Sequence, residues 1–332
     1  MVDDLVRAVS AHTGTERNRD QLRLLLRESA GFFADGADRL DLKIAATAVA
    51  EMRDAANLFR PYRNQRTVTI FGSARTAADD PLYVQTREFA AAMAAQGWMV
   101  LTGAGPGIMA AGLEGAGRNH ALGVTISLPF ESSSNEFVDE SNVVEMKYFF
   151  TRKLALIKES DAFVVMPGGF GTLDEAFELL TLLQTGKATP VPVVMLGIGQ
   201  GFWHAWDAFV DTVIDQGYAS STDRCLFRVT NAIDEAVAEV MGFYRNFRSL
   251  RWVGDRLVIR LEHKPSADTL TALNTEFAPW VGPEGIEEVG AFPAEIGEND
   301  ELDAYRVALR WNRRQPGRLR ILIDALNTAA RQ

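Results

Sequence analysis

The feature that most constrains this chain is a repeated unit: a short run of apolar residues, a glycine-rich turn, then a helix. Val68-Thr-Ile-Phe71 runs into Gly72-Ser-Ala-Arg75, and Tyr83 to Gln96 follows with helical character. Trp98 to Leu101 runs into Thr102-Gly-Ala-Gly-Pro-Gly107 and an alanine-rich helix, and Ala162 to Met166 runs into Pro167-Gly-Gly-Phe-Gly-Thr-Leu-Asp-Glu175. Val124 to Leu128, Val143 to Met146 and Pro192 to Leu196 read as further strands, with helices over about 149–159 and from the last turn to about Thr185. Short strands without polar alternation, separated by helices, describe a parallel sheet covered on both faces. Ligands of such sheets collect beyond the carboxyl ends of the strands, where all three glycine turns fall.

The flanks differ. Residues 1–60 carry apolar residues at helical spacing (Leu22, Leu25, Leu26) and end at Arg60-Pro61, so they are expected to form a helical preface. From 249 to 332 the alternation is less regular. Leu257 to Leu261 and Tyr305 to Trp311 read as strands, Ala267 to Phe277 as a helix, Leu319 to Leu326 as either, and the acidic stretch Gly282 to Asp303 as loop. The expectation is a nucleotide-binding domain over 61–248 and a small appended α/β domain over 249–332 that the chemistry does not require.

The net charge of −10 argues against a nucleic-acid polymer or an anionic membrane as partner, because both repel such a chain at long range. A bound phosphate must therefore be held by local amides and a few cations. One cysteine, Cys225, excludes an internal disulfide, and the four histidines show no metal-ligand spacing. No basic segment followed by an apolar stretch opens the chain and no apolar run is long enough to span a bilayer, so a cytoplasmic location is expected.

The turn from Pro167 carries the strongest chemical signal. Gly168, Gly169 and Gly171 let the backbone bend sharply and expose amides, and Thr172 is placed to start a helix whose positive end faces the turn. Such a turn holds phosphate, though it also serves simply to join strand to helix. Thr172-Leu-Asp-Glu175 has the spacing of a capping box, a reading in which Glu175 only satisfies amides. Ser73 and Arg75 offer a hydroxyl and a guanidinium at the first strand's end, with a capped, solvated turn as the plain alternative. Gly103, Gly105 and Gly107 depart from dinucleotide spacing, so NAD is not expected. Trp203 and Trp206 read as a helix core face, and His120 and His204 as structural.

Pro167-Gly-Gly-Phe-Gly-Thr-Leu-Asp-Glu175, preceded by Phe149-Phe-Thr-Arg-Lys153, resembles the signature of the Lonely guy (LOG) family of nucleoside 5′-monophosphate phosphoribohydrolases, which includes the enzymes that activate cytokinins. The similarity runs from about Val68 to Tyr218 and takes in Gly72 to Arg75, Gly103 to Met109 and Leu182 to Gly186. The resemblance implies a Rossmann-like fold, commonly dimeric, that cleaves a nucleotide to free base and ribose 5-phosphate, with no cofactor. It implies Arg152 and Glu175 as the catalytic pair and Gly168, Gly169, Gly171 and Thr172 as the phosphate cradle. Ser73, Gly103, Gly105, Gly107 and Lys153 would help bind the nucleotide, although Lys153 could instead support a carboxylate. Ala110 stands where relatives have Glu or Gly, with Glu114 one turn on as a substitute or as part of a solvated face. The fold is also similar to that of molybdenum-cofactor carriers, a binding-only alternative. The family's older label, lysine decarboxylase, needs a lysine that forms an aldimine with pyridoxal phosphate. No strand-anchored lysine faces the glycine turns.

Overall fold

A computed structural model describes residues 2–13, 18–127, 135–199, 201–312 and 316–329. The chain divides into two compact units, 1–56 and 57–332. The first is helical, as its periodicity predicts: α1 (Val2–Thr13), α2 (Arg19–Ala34) and α3 (Arg39–Phe59), the last of which ends in the second unit. Within it, α1 and α2 meet through Arg19 donating to the Ser10 hydroxyl (3.0 Å) and Arg23 to Asp3 (2.7 Å).

The second unit opens with seven strands: β1 (Thr67–Phe71), β2 (Met99–Thr102), β3 (Ala121–Ile126), β4 (Val143–Met146), β5 (Ala162–Val165), β6 (Val193–Leu196) and β7 (Arg228–Thr230). All pair in parallel, in the order β4-β3-β2-β1-β5-β6-β7, with Val68 opposite Val100 on one side and Ala162 on the other. The helices are α4 (Pro81–Ala95), α5 (Ile108–Ala116), α6 (Phe149–Lys158), α7 (Phe170–Gln184), α8 (Gly201–Asp215) and α9 (Ile233–Phe243). This is the expected Rossmann-like α/β sheet. β3 begins three residues before the predicted Val124, and the predicted end, Leu128, lies outside the described residues. Val68, Ile70, Val100 and Val164 are fully buried, and Phe89 and Met93 of α4 pack over them in one core. Burying each such side chain contributes about 1.5–3 kcal/mol.

The strand order matters for function. β1 lies between β2 and β5, and the chain leaves it in opposite directions to build the two halves of the sheet. A crevice opens beyond the carboxyl ends of the strands at such a reversal. The turns that end β1, β2 and β5 are the three glycine turns.

After α9 comes a second, antiparallel sheet of β8 (Phe247–Val253), β9 (Arg256–Leu261), β10 (Glu287–Glu288) and β11 (Tyr305–Leu309), in the order β10-β11-β9-β8. With it come α10 (Ala267–Phe277), α11 (Pro293–Glu298) and α12 (Pro316–Ala329). Leu319 to Leu326, open between strand and helix by sequence, is helix, and the stretch read as loop contains β10 and α11. Leu257, Ile259, Leu309, Leu322 and Leu326 form a second core that also takes in Phe243 of α9 and Phe247. Asn327 of α12 accepts from the amides of Asn246 (2.9 Å) and Phe247 (2.8 Å), which stitches α12 to the junction between the sheets. The boundary expected at 249 therefore falls inside β8. On the other face of this sheet the fully buried Glu295 accepts from Arg260 (2.9 and 2.6 Å) and Arg306 (3.2 Å) and holds α11 down. Removing one partner of such a buried pair leaves an uncompensated charge, at a cost of about 3–5 kcal/mol. No helix among the described residues is long and apolar enough to cross a membrane.

Candidate active site

The three turns enclose a cleft of about 710 Å³, walled by Gly72 to Arg75, Gly103, Met109, Phe149, Arg152 and Gly168 to Glu175. The turn after β2 is held tightly. The Thr102 hydroxyl accepts the amide of Ala104 (3.0 Å), which sits at φ 54°, a left-handed conformation that alanine adopts only under constraint. Gly107, at φ 67°, has the carbonyl oxygen of Ser73 only 2.4 Å from where a Cβ would stand, and the next amide, Ile108, donates to that carbonyl (3.0 Å). Only glycine fits there. Gly107 thus locks the second turn onto the first, and Gly105 accepts from Asn135 (3.1 Å). These two glycines build the cleft without lining it.

The third turn corrects one expectation. α7 starts at Phe170 with Gly169 as its N-cap and no side-chain cap, so Thr172 lies inside the first turn and Glu175 in the second. The capping box does not form, and Glu175 has no part in satisfying amides. A Cβ on Gly168 would stand 2.2 Å from the Thr172 hydroxyl and 3.0 Å from the Ser73 amide, so the bare glycine lets those polar groups converge. Gly169 and Gly171 face open space. The first amides of a helix have no intrahelical acceptor and carry its positive end. Arg75 is exposed beside them and makes no ion pair among the described residues.

Arg152 and Glu175 come to this cleft from α6 and α7. Arg152 donates from Nε to the carbonyl of Val124 on β3 (3.0 Å), and its Nη2 lies over Gly103, only 2.1 Å from the position of an added Cβ. Glu175 is 7% exposed, and its Oε2 is buried without a hydrogen-bond partner. Burial pushes its carboxyl up to about 7, against the pull of the Arg152 and Lys153 charges toward ionisation. A buried carboxylate with an unsatisfied oxygen, near an arginine, in a cleft, is the arrangement expected of a working acid or base.

Lys153 takes the supporting role rather than lining the cleft: its Nζ bridges Asp174 (2.8 Å) and Glu178 (2.7 Å), and so ties α6 to α7. Glu114 is corrected as well. It accepts from the Tyr83 hydroxyl (2.8 Å) and Arg87 (3.1 Å), so it neither lines the cleft nor replaces the residue absent at Ala110. Trp203 and Trp206 are buried, as read, and Trp203 packs behind Gly197. The sequence reading missed Met109, Phe149 and Phe170 as cleft residues; Phe170 is 94% exposed at the rim, and nothing in its spacing announces this. No lysine lines the cleft among the described residues.

Gly103→Ala tests this packing. The methyl would meet Arg152 Nη2 and Met109 Sδ (2.7 Å), both flexible side-chain ends, so the fold should persist while Arg152 is displaced. We expect a change in melting temperature of a few degrees at most and about a hundredfold loss of turnover, a drop typical of displaced catalytic groups. Wild-type turnover in the variant would show that Arg152's position over Gly103 is immaterial.

A family model described as "Possible lysine decarboxylase" matches residues 93–240, which carry Arg152 and the whole turn from Pro167 to Glu175. The cytokinin riboside 5′-monophosphate phosphoribohydrolase LOG2 of Arabidopsis thaliana is 34% identical over 110 residues, 32% of this chain and 49% of that protein. LOG7 of the same plant is 28% identical over 160 residues, 47% of this chain and 71% of that protein. Over this region the chain is similar to LOG-family proteins. It spans about half the length of most of the curated LOG proteins it matches. Among solved structures, the molybdenum cofactor carrier protein of Chlamydomonas reinhardtii is 25% identical, with a TM-score of 0.39 over 53% of this chain and 96% of that one. The helices α1 to α3 and the second sheet lie outside residues 93–240.

Proposed function

We propose that this protein hydrolyses the N-glycosidic bond of a nucleoside 5′-monophosphate, with AMP or an N6-modified AMP as the first choice, and releases the base and ribose 5-phosphate. The observation that carries this reading is Glu175: a buried carboxyl, free of any capping duty, with an unpaired oxygen beside a phosphate-sized glycine turn. As the bond from C1′ to the base nitrogen breaks, its electron pair leaves with the base and the sugar becomes cationic. The ionised Glu175 stabilises that cation and orients a water whose oxygen bonds to C1′. One water proton goes to the carboxylate, which then releases it to solvent, and the base nitrogen takes up one proton from solvent, so that the carboxylate is restored. The Arg152 charge offsets part of the burial that raises the Glu175 carboxyl, and its guanidinium presents fixed donors to ribose or phosphate oxygens. Gly168, Gly169, Gly171 and Thr172, with Ser73 and Arg75, hold the phosphate. The base preference comes from the names of the relatives, which act on cytokinin riboside 5′-monophosphates. A decarboxylase reading is disfavoured because no described lysine lines the cleft.

The test is to incubate the purified protein with AMP, GMP, CMP and isopentenyl-AMP and to look for free base. Release from none of them would overturn the reading and favour a carrier.

We also propose a homodimer. Phe149, Phe150 and Leu154 of α6 and Phe177 of α7 are 41–54% exposed on neighbouring helices, and Phe209 of α8, 51% exposed, packs on Phe177 at 6.0 Å. An apolar patch of this kind marks an interaction surface. Phe177→Glu is expected to halve the mass measured by light scattering. A wild type that is already monomeric would refute the dimer.

A further inference from the structure

Another cavity, of about 470 Å³ and partly open to solvent, lies at the far end of α7 from Glu175, between residues 185–190 and the second sheet. We propose that it binds a planar aromatic molecule of nucleotide size that carries an acidic group. Its volume falls in the range of small-molecule sites. Its walls include two indoles, Trp311 (7% exposed) and the half-buried Trp252, with Pro190 and Leu319. Flat apolar walls of this kind favour stacking of an aromatic ring. One cation reaches its rim. Arg251 follows the cavity wall only with its backbone; its guanidinium turns to the other face of the sheet, where Glu298 (3.0 Å) and Asp300 (2.6 Å) hold it. Lys187 is exposed and makes no ion pair among the described residues, so the unbalanced charge at the rim is positive. In a chain of net charge −10 this is a local exception, and it selects an anion.

The cavity also has a mechanical connection to the cleft. Its wall from Thr185 to Pro190 continues directly from α7, and a Cβ on Gly186 would stand 3.6 Å from Pro316 at the start of α12. An occupant wedged there bears on the seat of the helix that carries Glu175. A change in turnover of at least twofold on occupancy is expected; that part rests on the proposed reaction, whereas binding itself does not.

The experiment uses the full chain and the fluorescent probe 1-anilinonaphthalene-8-sulfonate, with its uncharged analogue N-phenyl-1-naphthylamine. Binding of the sulfonate should weaken at least tenfold in Lys187→Glu, an exposed position where folding is not at risk, and in Trp252→Ala. It should be unchanged in Glu175→Gln. The uncharged analogue should bind at least tenfold more weakly than the sulfonate, and inorganic phosphate should not compete. Wild-type affinity in Lys187→Glu overturns the proposal, as does loss of binding in Glu175→Gln, which would place the probe in the catalytic cleft. Equal binding of the two probes overturns the acidic group.

Discussion

Glu175→Gln is expected to lower base release from AMP about a thousandfold and to raise stability above neutral pH. The activity loss follows from removing a charge set beside a developing cation, an electrostatic contribution of about 10²–10³ or more in turnover. Because α7 begins at Phe170, the side chain caps nothing, and glutamine keeps its volume. The stability gain comes from the same burial. The folded-state carboxyl sits at about 7 against an ordinary 4.5, so between those values the folded protein retains a proton that the unfolded chain has released. Stability therefore falls as pH rises through that window, and the penalty is fully present above pH 7. Glutamine never ionises and escapes it. The variant should be more stable than wild type by about 1–3 kcal/mol at pH 8, given about 1.4 kcal/mol per pH unit, with a smaller difference at pH 5. Calorimetry at the two pH values measures this. Wild-type kcat/KM on AMP should rise with pH through a midpoint near 7, as Glu175 ionises. An active Gln variant would remove Glu175 from the mechanism, and an unchanged pH profile of stability would assign the titration to another group.

The parts of this protein that were legible in the sequence are those where local and tertiary demands agree. β1, β2, β5 and β6 are buried on both faces, so their apolar runs stand out against helical neighbours. The helix Ala267–Phe277 was readable to the residue because Ser266 caps it by accepting from the Thr269 amide (3.1 Å). Legibility failed where a residue serves a partner distant in sequence. Thr172 reads as a helix start because its spacing to Glu175 suits a cap, yet α7 begins two residues earlier, at Phe170, with Gly169 as its N-cap. Glu114 reads as a solvated helix face but meets Tyr83 and Arg87 of α4. β3 starts before Val124 because Gly123 pairs with Thr102 and Val143 inside the sheet, where a lone glycine looks like a break. The Arg152 to Val124 contact has no sequence signature at all. Arg152 and Glu175 were singled out through their motif, and the geometry adds what the motif lacks: both reach one cleft, and burial makes Glu175 costly to the fold.

The final expectation concerns the phosphate. Turnover of AMP, expressed as kcat/KM, should exceed that of adenosine about a thousandfold, with part of the difference in kcat. The cradle at Gly168 to Thr172 is one turn of α7 from Glu175, so a phosphate seated on the first amides of that helix fixes the 5′ end of the ribose relative to the carboxylate. Binding energy gained at that remote group can be used to orient C1′, which is why its loss lowers kcat as well as affinity. The net charge of −10 supplies no long-range attraction for an anion, so recognition rests on the turn, Ser73 and Arg75 at contact distance. One further result should accompany the main one: ribose 5-phosphate should inhibit competitively while ribose does not. Initial rates on AMP and adenosine at equal concentrations decide the question. Equal rates would mean that the glycine turn does not read phosphate, and the nucleotide substrate would have to be given up even if base release by Glu175 stood.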